Sequence, residues 1–180
     1  ASGLIFGLVT GMPMGEAAEF GVAASALKHT IPGDLNHATL SEVKELMKQN
    51  PDIINQTSES GFTPLILACY RGNVEVAKFL IDNVRDVNYR SGDGTALSGL
   101  AVKYNKDLVE YLLKKNANPN IADANGATPL FWAVKFGNME LTELLLKYKA
   151  DKTIKDSQGM TPFEYALQTN NKEIINLLKN

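Results

Sequence analysis

The sequence predicts an all-α fold: a solenoid of helix-turn-helix repeats with β-turn loops, preceded by an N-terminal helical hairpin. One observation is a recurring segment. GATPLFWAVKFG, from Gly126 to Gly137, recurs as GFTPLILACYRG from Gly61 to Gly72, and in weaker form from Gly94 and from Gly159. The four initial glycines are 33, 32 and 33 residues apart, and a fixed period of this length is typical of stacked helical repeats. The other observation is that an aliphatic stretch at helical spacing follows each segment.

The T-P-L core of the segment resembles the signature of ankyrin repeats, and the resemblance covers roughly Leu40 to Asn180. It implies that each repeat consists of a β-turn, a short helix, a second helix and a return loop. Thr63-Pro64, Thr128-Pro129 and Thr161-Pro162 each place a hydroxyl cap before a proline at the first helical position. We expect the repeats at 39–55 (partial), 56–88, 89–120, 121–153 and 154–180.

The second helices are predicted from stretches that bury aliphatic residues against the neighbouring repeats. These stretches are VEVAKFLI from Val74, DLVEYLL from Asp107, MELTELLL from Met139 and KEIINLL from Lys172. In the partial repeat, Thr39 and Glu42 have capping-box spacing, and the helix is expected to stop before Pro51. The 89–120 repeat lacks the proline, has Leu100 where others have alanine, and has Tyr104 where a glycine is usual. We predict that it packs least regularly and is the weakest internal repeat.

Residues 1–38 form a different unit, predicted as a hairpin of two helices. In the first, apolar residues at helical spacing make a candidate oligomerisation surface: Leu4, Ile5, Leu8, Val9 and Met12. Met12-Pro13 ends this helix, and the second runs approximately from Met14 to His29. Residues 1–15 carry no charge, but about 17 to 25 residues are needed to span a bilayer. We therefore expect neither a membrane segment nor a membrane partner.

The stretch ASGLIFGLVTGMPMGEAAEFGVAASALKHTIPGDLN resembles the C-terminal part of ribokinase-like sugar kinases, most closely the 2-keto-3-deoxygluconate kinases. In that family a Gly-x-Gly-Asp motif, which supplies the catalytic base and the anion hole, stands immediately before this stretch. Because the sequence begins at Ala1, after the place of that motif, we expect no phosphoryl transfer and no nucleotide cofactor. The resemblance implies a fusion, natural or engineered, between a kinase tail and an ankyrin array. In this fusion the hairpin either caps the array or mediates homodimerisation.

Neither the composition nor the motifs indicate nucleic-acid binding, catalysis or metal binding. The formal net charge is −2, so no electrostatic footprint for nucleic acid is present. Cys69 is the single cysteine, and its position favours an inert core residue. His29 and His37 make no metal motif, and Asp123 and Asp156 are interpreted as turn residues that accept hydrogen bonds from local amides. We expect no enzyme, cofactor or metal, and a cytoplasmic, bacterial setting.

That leaves protein binding. The ankyrin resemblance implies that another protein, of unknown identity, binds in a concave groove between the turn tips and the first helices. Tyrosine, arginine and phenylalanine are common interface anchors; the alternative is a solvated groove with no specific partner. Transferred position by position, the candidate residues are Phe62, Tyr70, Arg71, Arg90, Asp93, Val102, Lys103, Asn125, Ala127, Lys135, Phe136, Lys155, Gln158, Met160 and Gln168. Trp132 is interpreted as a partly buried packing residue in the place of Leu67.

Overall fold

A computed structural model describes residues 38–58 and 60–179 of the chain. Within these ranges there are nine α-helices, one short 3-10 helix at Ile53–Asn55 and no β-strand. The helices are α1 (Leu40–Gln49), α2 (Pro64–Arg71), α3 (Val74–Asn83), α4 (Ala96–Val102), α5 (Lys106–Lys114), α6 (Pro129–Lys135), α7 (Met139–Lys147), α8 (Pro162–Gln168) and α9 (Lys172–Lys179). The predicted all-α repeat solenoid is confirmed for this part, while the predicted hairpin and its candidate oligomerisation surface lie outside the described residues.

Each short first helix begins after a threonine. The hydroxyl of this threonine accepts a hydrogen bond from the amide of the third helical residue, which satisfies one of the donors left open at a helix start. These N-caps are Thr63, Thr95, Thr128 and Thr161. Three of the four helices have the predicted proline at their first position. α4 lacks it, and there the Ser98 hydroxyl accepts from the Thr95 amide to complete a capping box.

Asparagines start the second helices in the same way, because their side-chain oxygens accept from an amide of the first helical turn. They are Asn73, Asn105, Asn138 and Asn171. The partial repeat at the start uses the predicted capping box, in which the Thr39 amide donates to the Glu42 carboxylate at 2.7 Å. α1 ends at Gln49, before Pro51, as expected.

The helices form two layers. The first helices α2, α4, α6 and α8 stack on one another, and the second helices lie against them in a second layer. The core between the layers consists of aliphatic side chains such as Leu97, Leu108, Leu130 and Leu145, all nearly inaccessible to solvent. Leu100, which departs from the alanine found in sister repeats, is also completely buried. The predicted weakness of its repeat stays a prediction.

Asparagine side chains form hydrogen bonds between consecutive repeats at the return loops. The side-chain oxygens of Asn55, Asn88 and Asn120 accept from backbone amides of the following repeat at 2.9, 2.7 and 2.7 Å. Asn88 and Asn120 also donate from their side-chain nitrogens to backbone carbonyls of that repeat. Because these bonds fix each loop against the next, they hold the turns and first helices in register along the array.

Candidate protein-binding groove

The turns between repeats form one wall of a groove along the first helices. Asp123 organises its turn: its Oδ1 accepts from the amides of Asn125 and Ala127 at 2.8 and 3.0 Å. Successive turn tips are joined by backbone hydrogen bonds of 2.8 Å, from Ala124 to the Gly92 carbonyl and from Ser157 to the Asn125 carbonyl. The predicted role of Asp123 and Asp156 as turn acceptors is confirmed, since Asp156 repeats the same pattern.

A cleft of about 60 Å³ opens in this groove above α4. α2 supplies one side of the cleft and Trp132 of α6 the other, with Ser98 and Gly99 of α4 between them. The turn side carries the polar residues Asp93, Asp123 and Asn125. The complete lining is Phe62, Ile66, Leu67, Tyr70, Asp93, Thr95, Ser98, Gly99, Val102, Asp123, Asn125 and Trp132. The cleft is therefore apolar on its helical sides and polar towards the turns.

Trp132 is held in a fixed orientation at the edge of the cleft. Its indole nitrogen donates to Asp123 Oδ2 at 2.9 Å. Its ring stacks on Phe136 with 5.9 Å between the ring centroids, and the Lys135 ammonium lies 4.5 Å from the ring centroid. The partly buried packing role predicted for Trp132 is confirmed, and the same side chain also lines the cleft.

Three cations stand beside the cleft, each at the C-terminal end of one of three consecutive first helices. They are Arg71, Lys103 and Lys135. The Lys103 ammonium donates to the Arg71 carbonyl at 3.1 Å, which places it between the ends of α2 and α4. None of the three is paired with a carboxylate of the described part of the chain, whereas five other cations are.

The structure brings part of the predicted site together. Of the predicted residues, Phe62, Tyr70, Asp93, Val102 and Asn125 line the cleft. Arg71, Lys103, Lys135 and Phe136 lie at the helix ends next to it. The remaining predicted residues are outside the cleft lining: Arg90, Ala127, Lys155, Gln158, Met160 and Gln168. The side chains of three of these residues form hydrogen bonds within the chain, since Arg90 donates to the Ala122 carbonyl and Gln168 donates to the Met160 sulfur.

Some predicted residues offer little surface to a partner. Phe62 and Ala127 are each 4% exposed and Tyr70 is 7% exposed. Burial raises the pKa of the Tyr70 hydroxyl, and the negative charge of Asp93 raises it further to a smaller extent, so this group stays neutral. These side chains support the floor and sides of the groove. Its rim is formed by the exposed turn residues, the exposed Lys103 and the partly exposed Arg71 and Lys135.

The family model described as ankyrin repeats (three copies) matches residues 34–123 and 98–180. These matches cover well over half of the chain and coincide with the stacked turns and helices. The chain belongs to the ankyrin repeat family.

Similar ankyrin repeat proteins come from several animals. The chain is 32% identical over 88 residues to ankyrin repeat and SAM domain-containing protein 6 of Rattus norvegicus, covering 48% of this chain and 10% of that protein. It is 27% identical over 122 residues to ankyrin repeat, SAM and basic leucine zipper domain-containing protein 1 of Notamacropus eugenii, covering 65% and 26%. Identity to the ankyrin repeat and KH domain-containing protein mask of Drosophila melanogaster is 32% over 93 residues, covering 50% and 2%. The chain spans about a quarter or less of these relatives.

Two further findings concern the described residues of this ankyrin repeat chain. None of their helices is both long and apolar enough to cross a membrane. No group of three or more histidine, cysteine, aspartate or glutamate side chains among them is placed to hold a metal ion.

Sequence reasoning missed Ser98 and Gly99 as groove residues. An alignment of the four first helices would have pointed to Gly99. Counted from the N-cap threonine, Gly99 takes the place held by Leu67, Trp132 and Tyr165 in the other repeats. A large side chain stands at this position in every sister helix, so its loss in α4 leaves the space that forms the cleft.

Proposed function

We propose that this ankyrin repeat chain is a non-catalytic protein-interaction module that binds another protein along the groove between its turn tips and first helices. The observation that carries the proposal is the cleft above α4, with apolar sides, an oriented Trp132 and the three cations Arg71, Lys103 and Lys135 beside it. Aromatic residues and arginine are the commonest anchors of protein interfaces.

The reactive groups of the described region have structural roles that support a non-catalytic function. The Cys69 thiol is 0% exposed, and burial raises its pKa to about 12, so the nucleophilic thiolate does not form at neutral pH. Asp123 and Asp156 use their carboxylates to accept hydrogen bonds within turns. These assignments leave binding as the activity that the groove supports.

A matched pair of charge reversals tests the groove. Lys135 is the last residue of the first helix α6, and Lys147 is the last residue of the second helix α7. Lys135→Glu and Lys147→Glu therefore make the same charge change at equivalent helix ends, but only Lys135 lies at the cleft. We expect Lys135→Glu to weaken the affinity for a captured partner protein about tenfold, as charged contacts at interfaces do, and Lys147→Glu to leave it unchanged. Equal affinities of the two variants would reject the groove.

A second candidate function concerns residues 1–38. We infer that their resemblance to 2-keto-3-deoxygluconate kinases reflects a fused kinase-derived hairpin, and that its uncharged apolar run serves assembly. Burying apolar surface is worth about 25 cal/mol per Å², which favours a symmetric homodimer. The solution mass of the full chain, measured by light scattering during size-exclusion chromatography, tests this. A dimer that becomes a monomer on Leu8→Lys supports assembly, and a wild-type monomer rejects it.

The cellular setting is also part of the proposal. A cytoplasmic, bacterial protein is consistent with the kinase resemblance and with the reduced, buried Cys69. Fractionation of the native source, followed by detection of the full chain, tests the compartment directly, and recovery in a membrane or secreted fraction would contradict it.

A further inference from the structure

We propose that the cleft above α4 is an anchor pocket for one particular kind of partner segment. The segment inserts a single apolar side chain beside Gly99 and places a neighbouring carboxylate against Arg71, Lys103 and Lys135. This inference rests on the proposed function, because it names the chemistry of the protein that the groove binds.

Neither the backbone conformation nor the room for a Cβ requires glycine at position 99. Gly99 lies inside α4, where glycine is a poor helix former because its backbone loses the most freedom on folding. Its backbone is helical, so no left-handed conformation requires it. An added Cβ would meet no atom closer than 3.7 Å, an ordinary contact distance to Tyr70. Crowding therefore does not explain the residue, and the open space above it is its structural consequence.

The shape and polarity of the space above Gly99 favour an apolar side chain as its occupant. Tyr70 and Val102 flank it on the helical sides, and Trp132 lies across from α2. A volume of about 60 Å³ exceeds several-fold what one water needs. Water placed against these apolar sides has few hydrogen-bond partners, so replacing it with an apolar side chain is favourable. Sister helices fill the same position with Leu67, Trp132 or Tyr165 from within the chain.

The cations beside the cleft favour a partner segment that carries a carboxylate. Arg71 follows Tyr70 in α2, Lys103 follows Val102 in α4, and Lys135 sits over the Trp132 ring. Each cation thus borders a residue that lines the cleft, and none is neutralised by a carboxylate within the described ranges. On the turn side the cleft is lined by two carboxylates, Asp93 and Asp123, and Asp123 already accepts three hydrogen bonds from protein donors. A bound segment is therefore favoured when its own carboxylate points towards the helix ends.

Two small molecules that differ only in charge serve as probes. 3-Phenylpropionate carries an apolar ring and a carboxylate, and 3-phenylpropylamine carries the same ring and an ammonium group. Each is titrated to about 20 mM, a range suited to ligands of this size, into the ¹⁵N-labelled full chain. The signals followed are the Gly99 amide and the indole N–H of Trp132, the only tryptophan. We expect 3-phenylpropionate to shift both signals and to bind about two- to fivefold more tightly than the amine, as an exposed ion pair predicts.

Gly99→Leu fills the pocket and should abolish both shifts, and it is expected to fold because Leu67 occupies the equivalent place in α2. Gly99→Ala is the milder variant, which adds one methyl at ordinary contact distance and should weaken binding without loss of structure. Lys147→Leu, on the outer layer, is the control and should bind as the wild type does.

Three results would overturn the proposal. One is the absence of shifts at Gly99 and Trp132 in the wild type, and another is equal or tighter binding of the amine. The third is evidence that something else occupies the cleft. Without any probe, a nuclear Overhauser effect between the Trp132 ring and residues 1–37 would show that this segment fills it. Shifts of the Gly99 and Trp132 signals that depend on protein concentration would show that a second copy of the chain fills it. If the probes fail while Lys135→Glu still weakens partner binding relative to Lys147→Glu, only the anchor pocket is rejected and the interaction groove stands.

Discussion

Replacing Gly126 by alanine tests how closely successive turns are packed, because a sister glycine supplies a matched control. Gly126 and Gly159 occupy equivalent turn positions and both have φ +76°. A Cβ at Gly126 would lie 3.0 Å from the Asp156 Cα and from the Ser157 nitrogen of the next turn, whereas a Cβ at Gly159 meets nothing within 4 Å. The two substitutions therefore share the backbone strain and differ in the clash with the neighbouring repeat.

The magnitude follows from these two contributions. Left-handed strain at a residue with a side chain costs about 1–2 kcal/mol, which is the full expected effect of Gly159→Ala. Forcing a methyl against rigid backbone adds about 1–3 kcal/mol, so Gly126→Ala should lower the free energy of unfolding by about 2–5 kcal/mol in total. Urea titrations followed by helical circular dichroism measure both values. If the two losses agree within about 0.5 kcal/mol, the turns are not packed as closely at Gly126 as the structure shows, because the clash with the next repeat then adds nothing.

Three further predictions follow from the contacts between and within repeats. Asn88→Ala removes two hydrogen bonds to the next repeat and should lower the free energy of unfolding by about 1–2 kcal/mol; Asn83→Ala, whose amide bonds only within its own helix, should change urea stability little. Iodoacetamide at pH 8 should leave Cys69 unmodified by mass spectrometry until urea unfolds the chain, and rapid alkylation of the folded protein would contradict its burial. Hydrogen bonds from Lys115 and, to a smaller extent, from Tyr111 lower the pKa of Asp82 in the folded protein. The Asp82–Lys115 ion pair therefore stabilises the fold fully above the unfolded-state pKa of about 3.9. This stabilisation is lost as the pH falls through the lower folded-state pKa. The stability gap between wild type and Asp82→Asn should therefore shrink between pH 6 and pH 3, and a constant gap would speak against the ion pair.

Most of the fold could be predicted from the sequence because its signals are local and repeated. A threonine before a proline specifies a helix start within one turn of chain, and the same dipeptide recurs at Thr63, Thr128 and Thr161. α4 shows how the pattern tolerates a missing element, since Ser98 completes a capping box where the proline is absent. The links between repeats were harder to foresee. The hydrogen bonds of Asn88 to the next repeat depend on how the repeats stack, which a local sequence pattern does not encode.

The groove was predicted less completely than the fold. Transfer by position identified the exposed Lys103 and the partly exposed Lys135 at the rim, but also Phe62, which is 4% exposed. The sequence analysis did not predict the cleft, because the cleft arises from an absent side chain. A search for large interface residues does not select a glycine such as Gly99. Its partner in forming the cleft, Trp132, belongs to the following repeat, so their proximity emerges only when the repeats are stacked.

Site-specific photo-crosslinking in the native source shows whether a partner binds along the groove. A benzoylphenylalanine is placed at Phe136, beside the cleft, or at Glu143, on the exposed side of α7. We expect illumination to join another polypeptide to the chain through position 136, and we expect this adduct to be lost on Lys135→Glu. Adducts formed through position 143 but absent at position 136 would contradict the claim that this ankyrin repeat array binds its partner along the groove.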